Sequence, residues 1–455
     1  MSSLTGGQIS LNLTDNFKEI HPGLTKREAI EEANRCLYCY DAPCIKACPT
    51  SIEIPKFIKK IASGNLKGSA KTILEANPVG ASCARVCPTE ELCEGACVLN
   101  NETKPISIGH LQRYATDWAM QQRKPLFEVG ERNGKKVAII GSGPAGLSAA
   151  RELSLLGYQV TIFEAEKEAG GLNRYGIVSF RLPTEVVQWE VEQVKQLNVD
   201  IKTNTVVGID ITTEELLNQF DRVVVAVGMG NVPHLGIEGE TLKGVYDAIE
   251  FVKRTKMEEP TNELVGKKVI IIGAGNTAID AATTAVRLGA ANVKIVYRRT
   301  KNEMTAYQFE YDFAKQDGVE FRWLTAPTKI IGNEQNEVVG LECIKMDLGE
   351  IGLDGRQKPV PIQQSEFVLE TDVVIKAIGQ SRHIQLIERF GLDHSKGVVE
   401  VNPETYQTSQ EKVYACGDVV FGNGQGEAMV VTAAQQGKEV AKAIHRSFVL
   451  QSEIA

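Results

Sequence analysis

Two kinds of residue in this chain could do chemistry, and both stand in fixed spacings. Of ten cysteines in 455 residues, eight fall between Cys36 and Cys97. They run Cys36-x2-Cys39-x4-Cys44-x3-Cys48-Pro49 and then Cys83-x3-Cys87-Pro88-x4-Cys93-x3-Cys97. Thiolates are soft ligands, so this density points to bound metal. Two glycine-rich turns come later: Gly141-x-Gly143-Pro144-Ala145-Gly146 and Gly273-x-Gly275-Asn276-Thr277-Ala278. In such a turn the first glycine allows the tight bend and the second lets a pyrophosphate reach the backbone. The third position lets a helix pack close to a strand. The two chemistries are therefore metal ligation and dinucleotide binding.

The cysteine spacing narrows the metal. Structural zinc usually takes two tight pairs separated by a longer gap. Here four cysteines crowd into thirteen residues and end in Cys-Pro, the ferredoxin type of run, whose fourth cysteine serves a different cluster from the first three. Two four-iron clusters are expected, with zinc or disulfides as the alternatives. Cys343 and Cys416 are isolated, so the second half of the chain offers no redox-active cysteine pair of the disulfide-reductase kind.

These residues need elements to hold them. Val137–Ile140 is an apolar run that predicts a buried parallel strand, with a helix over Leu147–Leu156 and a second strand over Gln159–Phe163. Glu164 closes that strand eighteen residues past Gly146, near the ~20 expected of a ribose-binding acid. The device recurs: strand Val269–Ile272, helix Thr277–Leu288, strand Asn292–Tyr297. The second copy ends in Arg298-Arg299 instead of an acid. An acid there bonds the ribose 2′-hydroxyl of NAD, whereas arginine accommodates the 2′-phosphate of NADP. NADPH is the expected coenzyme, and NADH is the alternative if the arginines face solvent.

Helices are expected over Thr25–Asn34, Ile54–Ile61, Ala70–Ala76 and Trp189–Leu197, and strands over Asp200–Val207, Arg222–Val227 and Asp372–Ala377. Val319–Leu324, Val338–Met346 and Phe367–Leu369 read as strands of a small antiparallel insert, and Asp347–Gln364 as a polar surface loop. Strand Val413–Ala415 leads into Gly417-Asp418, followed by a helix over Ala428–Arg446. The fold class is α/β, with two Rossmann-like dinucleotide-binding domains of the glutathione-reductase type preceded by an α-helical iron–sulfur domain. The expected boundaries are 1–130 for the iron–sulfur domain, 131–250 and 376–455 for two segments of an FAD domain, and 251–375 for the NAD(P) domain.

Composition agrees with a globular protein: 43% hydrophobic and 24% charged residues. A formal net charge of −8 argues against general nucleic-acid binding. No apolar run reaches the ~18 residues of a membrane span. Met1–Leu13 lacks the basic and apolar regions of a secretory signal, so a cytoplasmic location is expected.

Four stretches carry a resemblance. Arg35-Cys-Leu-Tyr-Cys-Tyr-Asp-Ala-Pro-Cys-Ile-Lys-Ala-Cys-Pro49, Asn77-Pro-Val-Gly80, Val86-Cys-Pro-Thr89 and Pro105-Ile-Ser-Ile-Gly-His-Leu-Gln112 resemble the N-terminal module of dihydropyrimidine dehydrogenase. They are similar, less closely, to the small subunit of bacterial glutamate synthase. The likeness covers nearly the whole chain and is greatest to the separate flavin and iron–sulfur subunits of bacterial dihydropyrimidine dehydrogenases. It implies Cys36, Cys39, Cys44 and Cys97 on one cluster. On the other it implies Cys48, Cys87, Cys93 and the amide oxygen of Gln112, with Cys83 spare as a small buried hydrophobe. Without the resemblance, eight cysteines would make two sets of four, and Gln112 would be an ordinary exposed helix residue.

The resemblance also implies that Gly171, Leu172 and Arg181 contact FAD and that Val207 offers its backbone to the adenine. Gly417 and Asp418 would lie near the ribityl chain and pyrophosphate, and Ala377 and Gly379 on the NAD(P) side. For Arg181 the plainer reading is a surface salt bridge. The implied activity is NAD(P)H oxidation through FAD and two 4Fe–4S clusters, with no catalytic acid or base, because the cofactors carry the chemistry. The implied partner is an FMN-containing catalytic subunit, in a heterotetramer, reducing uracil or thymine. Service to a glutamate synthase large subunit or to ferredoxin is the alternative. A zinc-stabilised binding scaffold would belong to another class altogether, and a flavin spectrum that bleaches with NADPH separates it from the rest.

Overall fold

The computed structural model describes residues 13–122, 124–258, 261–352, 355–422 and 428–454. The expectation for Met1–Leu13 lies almost wholly outside them.

The N-terminal part is helical. Its helices are α1 (Lys26–Arg35), α2 (Pro43–Ala47), α3 (Ile54–Ala62), α4 (Leu66–Ala76), α5 (Gly80–Val86) and α6 (Ile108–Gln122). Helix α1 starts where Thr25-x-x-Glu28 forms a capping box, each side chain serving the other's backbone N–H. Phe57, Ile58, Ile61, Ile73, Ile108 and Leu111 fill the core between these helices. Each contributes roughly 1.5–3 kcal/mol by leaving water.

Strand β1 (Lys136–Ile140) opens the first sheet and feeds α7 (Pro144–Leu155). The chain continues through β2 (Gln159–Phe163), α8 (Leu172–Tyr175), α9 (Thr184–Lys195), β3 (Asp200–Lys202), α10 (Thr213–Gln219) and β4 (Arg222–Val225). Strand β5 (Val245–Asp247), α11 (Ala248–Met257), β6 (Lys268–Ile272), α12 (Asn276–Arg287), β7 (Asn292–Val296), α13 (Gln308–Gln316) and β8 (Glu320–Arg322) follow. Next come β9 (Thr325–Gly332), β10 (Val338–Ile351), β11 (Gln357–Pro361), β12 (Phe367–Glu370) and β13 (Val373–Lys376). The last elements are α14 (Ile384–Arg389), β14 (His394–Ser395), β15 (Val398–Val399), β16 (Val413–Ala415) and α15 (Val430–Ile454).

Two five-stranded parallel sheets result, in the orders β16-β4-β1-β2-β3 and β5-β13-β6-β7-β8. Their central strands are apolar because helices cover both faces. An antiparallel sheet of β9, β10, β11 and β12 is inserted between β8 and β13.

The chain divides into two compact units. One holds 231–381 with 13–20 and 175–180, and the other holds the N-terminal helices α1–α6 and the first sheet. Residues 231–250, expected with the first nucleotide domain, thus belong with the second sheet, to which β5 contributes an edge.

Three local expectations need correction. Glu320–Arg322 is not part of the antiparallel insert but the parallel edge of the second sheet, beside β7. Helix α13, unforeseen, makes the crossover from β7 to β8, and such crossovers return a strand parallel. The stretch 347–364 is not simply a loop. It carries the end of β10 and all of β11, paired from Met346↔Pro361 to Ile351↔Gln357, and β11 and the part of β10 beyond Met346 are largely solvated. The strand expected over Asp200–Val207 stops at Lys202, and Val207 makes only an isolated bridge to Ile211.

Candidate functional site

The first glycine turn has the conformation its residues call for. Gly141 sits at φ +97°, and a Cβ there would lie 2.5 Å from the Ala226 carbonyl oxygen. A Cβ on Gly146 would lie 2.0 Å from the Gly141 oxygen, so α7 packs directly on the turn. Pro144 and Ala145 form the first turn of α7, with Gly143 as its N-cap. Gly171, at φ +56°, approaches so closely that its Cβ would meet the Gly143 Cα at 2.6 Å. Two glycine backbones therefore make a bare cradle at a helix N-terminus, the arrangement a pyrophosphate needs. Leu172 begins α8 immediately after it.

Ser142, which sequence reasoning passed over, organises this cradle. It is fully buried. Its backbone N–H donates to Glu164 Oε2 at 2.9 Å, its hydroxyl donates to the same oxygen, and the hydroxyl accepts from the Gly170 N–H at 2.9 Å. Glu166 N–H donates to Glu164 Oε1 at 2.8 Å. The acid at the end of β2 is thus fixed by protein donors, leaving about one of its roughly four acceptor positions for a ribose hydroxyl. Thr205 N–H meets the Glu164 carbonyl oxygen at 2.8 Å, which sets the buried Val207 near the acid. Arg181 is half-buried and engaged with other groups of the protein.

Gly417 reaches the same place from the far end of the chain. It lies at φ +77°, a Cβ on it would stand 3.0 Å from the Ala145 Cβ, and its N–H donates to Gln436 Oε1 at 2.7 Å. Burial raises the carboxyl pKa of the neighbouring Asp418, with Arg382 opposing the rise. Arg382 donates to the Asp418 carbonyl oxygen at 2.6 Å and to that of Phe421 at 2.9 Å. Gln436 and Arg382 carry no sequence signature.

The second turn repeats the first. Gly273 lies at φ +123°, with a would-be Cβ 2.1 Å from the Ala377 oxygen. Gly275 caps α12, Asn276 and Thr277 begin it, and Ala278 is fully buried. Asn276 Oδ1 accepts from Tyr307 N–H at 3.2 Å. Gly379, at φ +98°, has open space on its side-chain face. The two arginines part company: Arg298 is exposed, whereas Arg299 is buried with Nε donating to the Gln357 carbonyl oxygen at 2.8 Å.

The eight cysteines fall into two neighbourhoods. Cys36, Cys39, Cys44 and Cys97 line one apolar pocket with Leu37, Ile58 and Val98. Tyr38, at φ +51°, supplies the left-handed bend inside Cys36-x2-Cys39. Burial first, then Cys36 and Cys97, push the Cys44 thiol up to about 11. In the other neighbourhood Cys87 is raised by a hydrogen bond to Cys83, then by burial, then by Cys83, Cys93 and Cys48. Burial, Glu94 and Cys48 raise Cys93. Such thiols are protonated without metal, so loading them releases protons.

Among the described residues no three His, Cys, Asp or Glu side chains converge on a single metal ion. A cubane asks for something else: one thiolate per iron, spread around a body larger than an ion. The four thiols around one pocket fit that demand. Gln112 is buried, not exposed, and its Nε2 donates to the Gly80 carbonyl oxygen at 2.7 Å, which fixes the amide beside the second neighbourhood. Cys83 is buried in the core shared with the first sheet.

No helix of the described residues is long and apolar enough to cross a membrane. Cys343 and Cys416 are both buried, and burial pushes each thiol up to about 12, so neither has the reactive thiolate of a disulfide reductase.

Comparison with known proteins agrees with this architecture. Residues 13–124 match the family described as dihydropyrimidine dehydrogenase domain II, 4Fe-4S cluster, and residues 135–437 match the pyridine nucleotide-disulphide oxidoreductases. The glutamate synthase [NADPH] small chain of Escherichia coli is 34% identical, covering 94% of this chain and 93% of that one. The NAD-dependent dihydropyrimidine dehydrogenase subunit PreT of Salmonella typhimurium is 36% identical, covering 94% and 96%. The NADP(+)-dependent formate dehydrogenase subunit beta of Moorella thermoacetica is also 36% identical, over 89% of this chain, which spans only 59% of that protein. Thioredoxin reductase from T. acidophilum shares the fold at TM-score 0.54 and 22% identity, over 69% of this chain and 99% of its own. The chain belongs to the pyridine nucleotide-disulphide oxidoreductase family, as an NAD(P)H-dependent FAD and iron–sulfur oxidoreductase subunit with an N-terminal 4Fe–4S domain of the dihydropyrimidine dehydrogenase type.

Proposed function

We propose that the chain oxidises NADPH and delivers the electrons to an FMN-containing partner subunit that reduces uracil or thymine to the dihydropyrimidine, in a cytoplasmic heterotetramer. The observation that carries this reading is the joining, in one compact unit, of a flavin-type glycine cradle and two neighbourhoods of thiols. Bound FAD and 4Fe–4S clusters supply the conversion of a hydride's electron pair into single electrons.

The protein's own work is holding and ordering. Gly141, Gly143, Ala145, Gly146 and Gly171 present N–H groups and backbone to the FAD pyrophosphate, Pro144, which has no N–H, sets the first turn of the helix beside it, and Glu164 meets its ribose. Leu172, Arg181, Val207, Gly417 and Asp418 line the remainder of the cofactor. Gly273, Gly275, Asn276, Thr277, Ala278, Ala377 and Gly379 do the same for the coenzyme, and Arg298, backed by Arg299, takes the 2′-phosphate. Cys36, Cys39, Cys44 and Cys97 hold one cluster, and Cys48, Cys87, Cys93 and Gln112 the other, with Cys83 beside it. The second of these sites is the nearer to FAD, because Cys83 and Cys87 pack in the same core as α7 and α15.

The named relatives divide between NADPH and NADH and among three partner reactions, so coenzyme and partner need direct tests. Anaerobic titration should bleach the flavin with NADPH at lower concentration than with NADH, in protein carrying about eight irons per chain. With an FMN-containing subunit added, uracil should be reduced. Glutamate formation with a glutamate synthase large chain, and none of dihydrouracil, would replace the proposed partner.

A further inference from the structure

We propose that Glu190 is a positioning residue for the flavin-proximal iron–sulfur site, fixing from the FAD domain the short helix that carries Cys83 into Cys87. Glu190 lies on α9, which starts directly after the Arg181–Pro183 stretch of the flavin loop. Its side chain is turned away from solvent, at 1% exposure. Its carboxylate accepts three hydrogen bonds, all from the first turn of α5. Oε1 takes the N–H of Ala81 at 2.9 Å and that of Ser82 at 2.8 Å, and Oε2 takes the Ser82 hydroxyl at 2.5 Å. Burying a carboxylate is costly, so its presence in this core asks for a reason. The first turn of a helix presents unsatisfied N–H groups and the positive end of the backbone dipole, which an anion complements.

Helix α5 is gripped on its other side as well. Gln112 on α6 holds the Gly80 carbonyl, and Arg85 at its far end bonds Asp117 of α6 at 2.8 Å. The polar grips on the segment from Gly80 to Cys87 thus come from α6 of the iron–sulfur domain and from Glu190 of the FAD domain. Glu190 gives it hydrogen bonds to the element that leaves the flavin loop, beside the apolar packing of Val79 and Cys83 in the same core as Val191. Electron transfer between two cofactors depends steeply on their separation and surroundings, so the residue that fixes this segment acts on both. Glu190 touches no thiol and works through α5.

The inference rests on the second cysteine set being a cluster site, and the experiment separates the two. Anaerobic, reduced full-length protein is examined by electron paramagnetic resonance and redox titration at about pH 9, well above the usual carboxylate range. Two cluster signals are expected, and the one lost in Cys87→Ser belongs to the second set. Glu190→Gln keeps the shape, removes the negative charge and turns one acceptor into a donor. It should change the line shape of that signal and raise its midpoint potential, because an anion beside a cluster disfavours its reduced state. The other signal and the iron content should stay as in the wild type.

Ser82→Ala removes one of the three bonds and should change the same signal less. If Glu190→Gln does not fold, Ser82→Ala decides: an effect confined to the second signal supports the role, and a wild-type spectrum overturns it. Wild-type spectra and potentials in Glu190→Gln, or equal changes in both signals, would overturn it too. A wild-type protein with no second signal would instead remove the cluster reading beneath it.

Discussion

At the scale of single residues, the cradle allows almost no added atoms. Gly171→Ala would set a Cβ against Gly143 with the backbone held at positive φ, so one loop must give way. We expect the purified variant to lose most of its flavin absorbance at the cost of ~1–3 kcal/mol of overpacking. Arg298 stands free in solvent where the coenzyme's 2′-phosphate is proposed to lie, and a charge-assisted bond is worth roughly 1.5–3 kcal/mol. Arg298→Ala should raise KM for NADPH about tenfold or more and leave KM for NADH nearly unchanged. Glu190 gives a pH dependence whose sign is fixed. Burial raises its pKa from 4.5 to about 7, against the bonds from Ser82 and Ala81 and the charge of Arg85. Between those values the folded protein holds a proton that the unfolded chain has lost, so stability falls as pH rises through the window, by up to about 1.4 kcal/mol per pH unit. Anaerobic denaturant midpoints for wild type should fall more steeply than those of Glu190→Gln between pH 5 and 7.5, in the window from about 4.5 to about 7. The glycine turns and cysteine runs were legible in the sequence because their residue types are dictated by backbone shape and ligand softness. Ser142, Glu190, Arg382 and Gln436 were not, because nothing in a one-dimensional spacing shows which loop a buried polar side chain will meet.

At the scale of elements, the parallel strands and the helices after each glycine turn were readable from apolar runs bounded by glycine. Helix α7 starts three residues earlier than expected, with Pro144 at a first-turn position that suits proline. Helix α9 likewise begins after Pro183, five residues before Trp189. Strand β8 was misassigned because a short strand does not announce its direction. Direction came from the unforeseen α13. The β10–β11 hairpin was missed because β11 and the part of β10 beyond Met346 are half-buried or exposed throughout and show no buried face. One contact between elements is unusually close: a Cβ on Gly437 of α15 would fall 2.1 Å from the Ala145 carbonyl oxygen on α7. Gly437→Ala should push these helices apart and lower the thermal midpoint of the holoprotein, with a cost of ~1–3 kcal/mol. Lys438, next along α15, donates to the Ala76 carbonyl oxygen at the end of α4, while Arg151 of α7 reaches that of Glu75 at 3.4 Å. Two cations thus face the negative end of one iron–sulfur-domain helix, a favourable pairing with its dipole.

At the scale of the whole molecule, the first sheet is built from residues far apart in the chain. Strand β4 is fully buried and takes its outer partner, Val413↔Val223 to Ala415↔Val225, from beyond the whole 231–381 segment. The 231–381 segment leaves and rejoins the chain at adjacent points, Ser381 N–H donating to the Asn231 carbonyl oxygen at 2.8 Å. This discontinuous plan was legible in outline, since the Gly417-Asp418 signature implied a return to the flavin, but its seam fell at 231 and 381 instead of near 250 and 375. A chain cut before Val413 should express as aggregate, because Arg222–Val225 then presents an open apolar edge. Sedimentation of the truncated product beside the full chain checks this. The same seam sets an order on biosynthesis. As the ribosome releases the chain from its N-terminus, the second sheet has all five of its strands by Lys376, while the older first sheet must wait with a bare flank for Val413. The nascent flavin domain therefore carries an open strand edge across the whole interval in which its neighbour is being made.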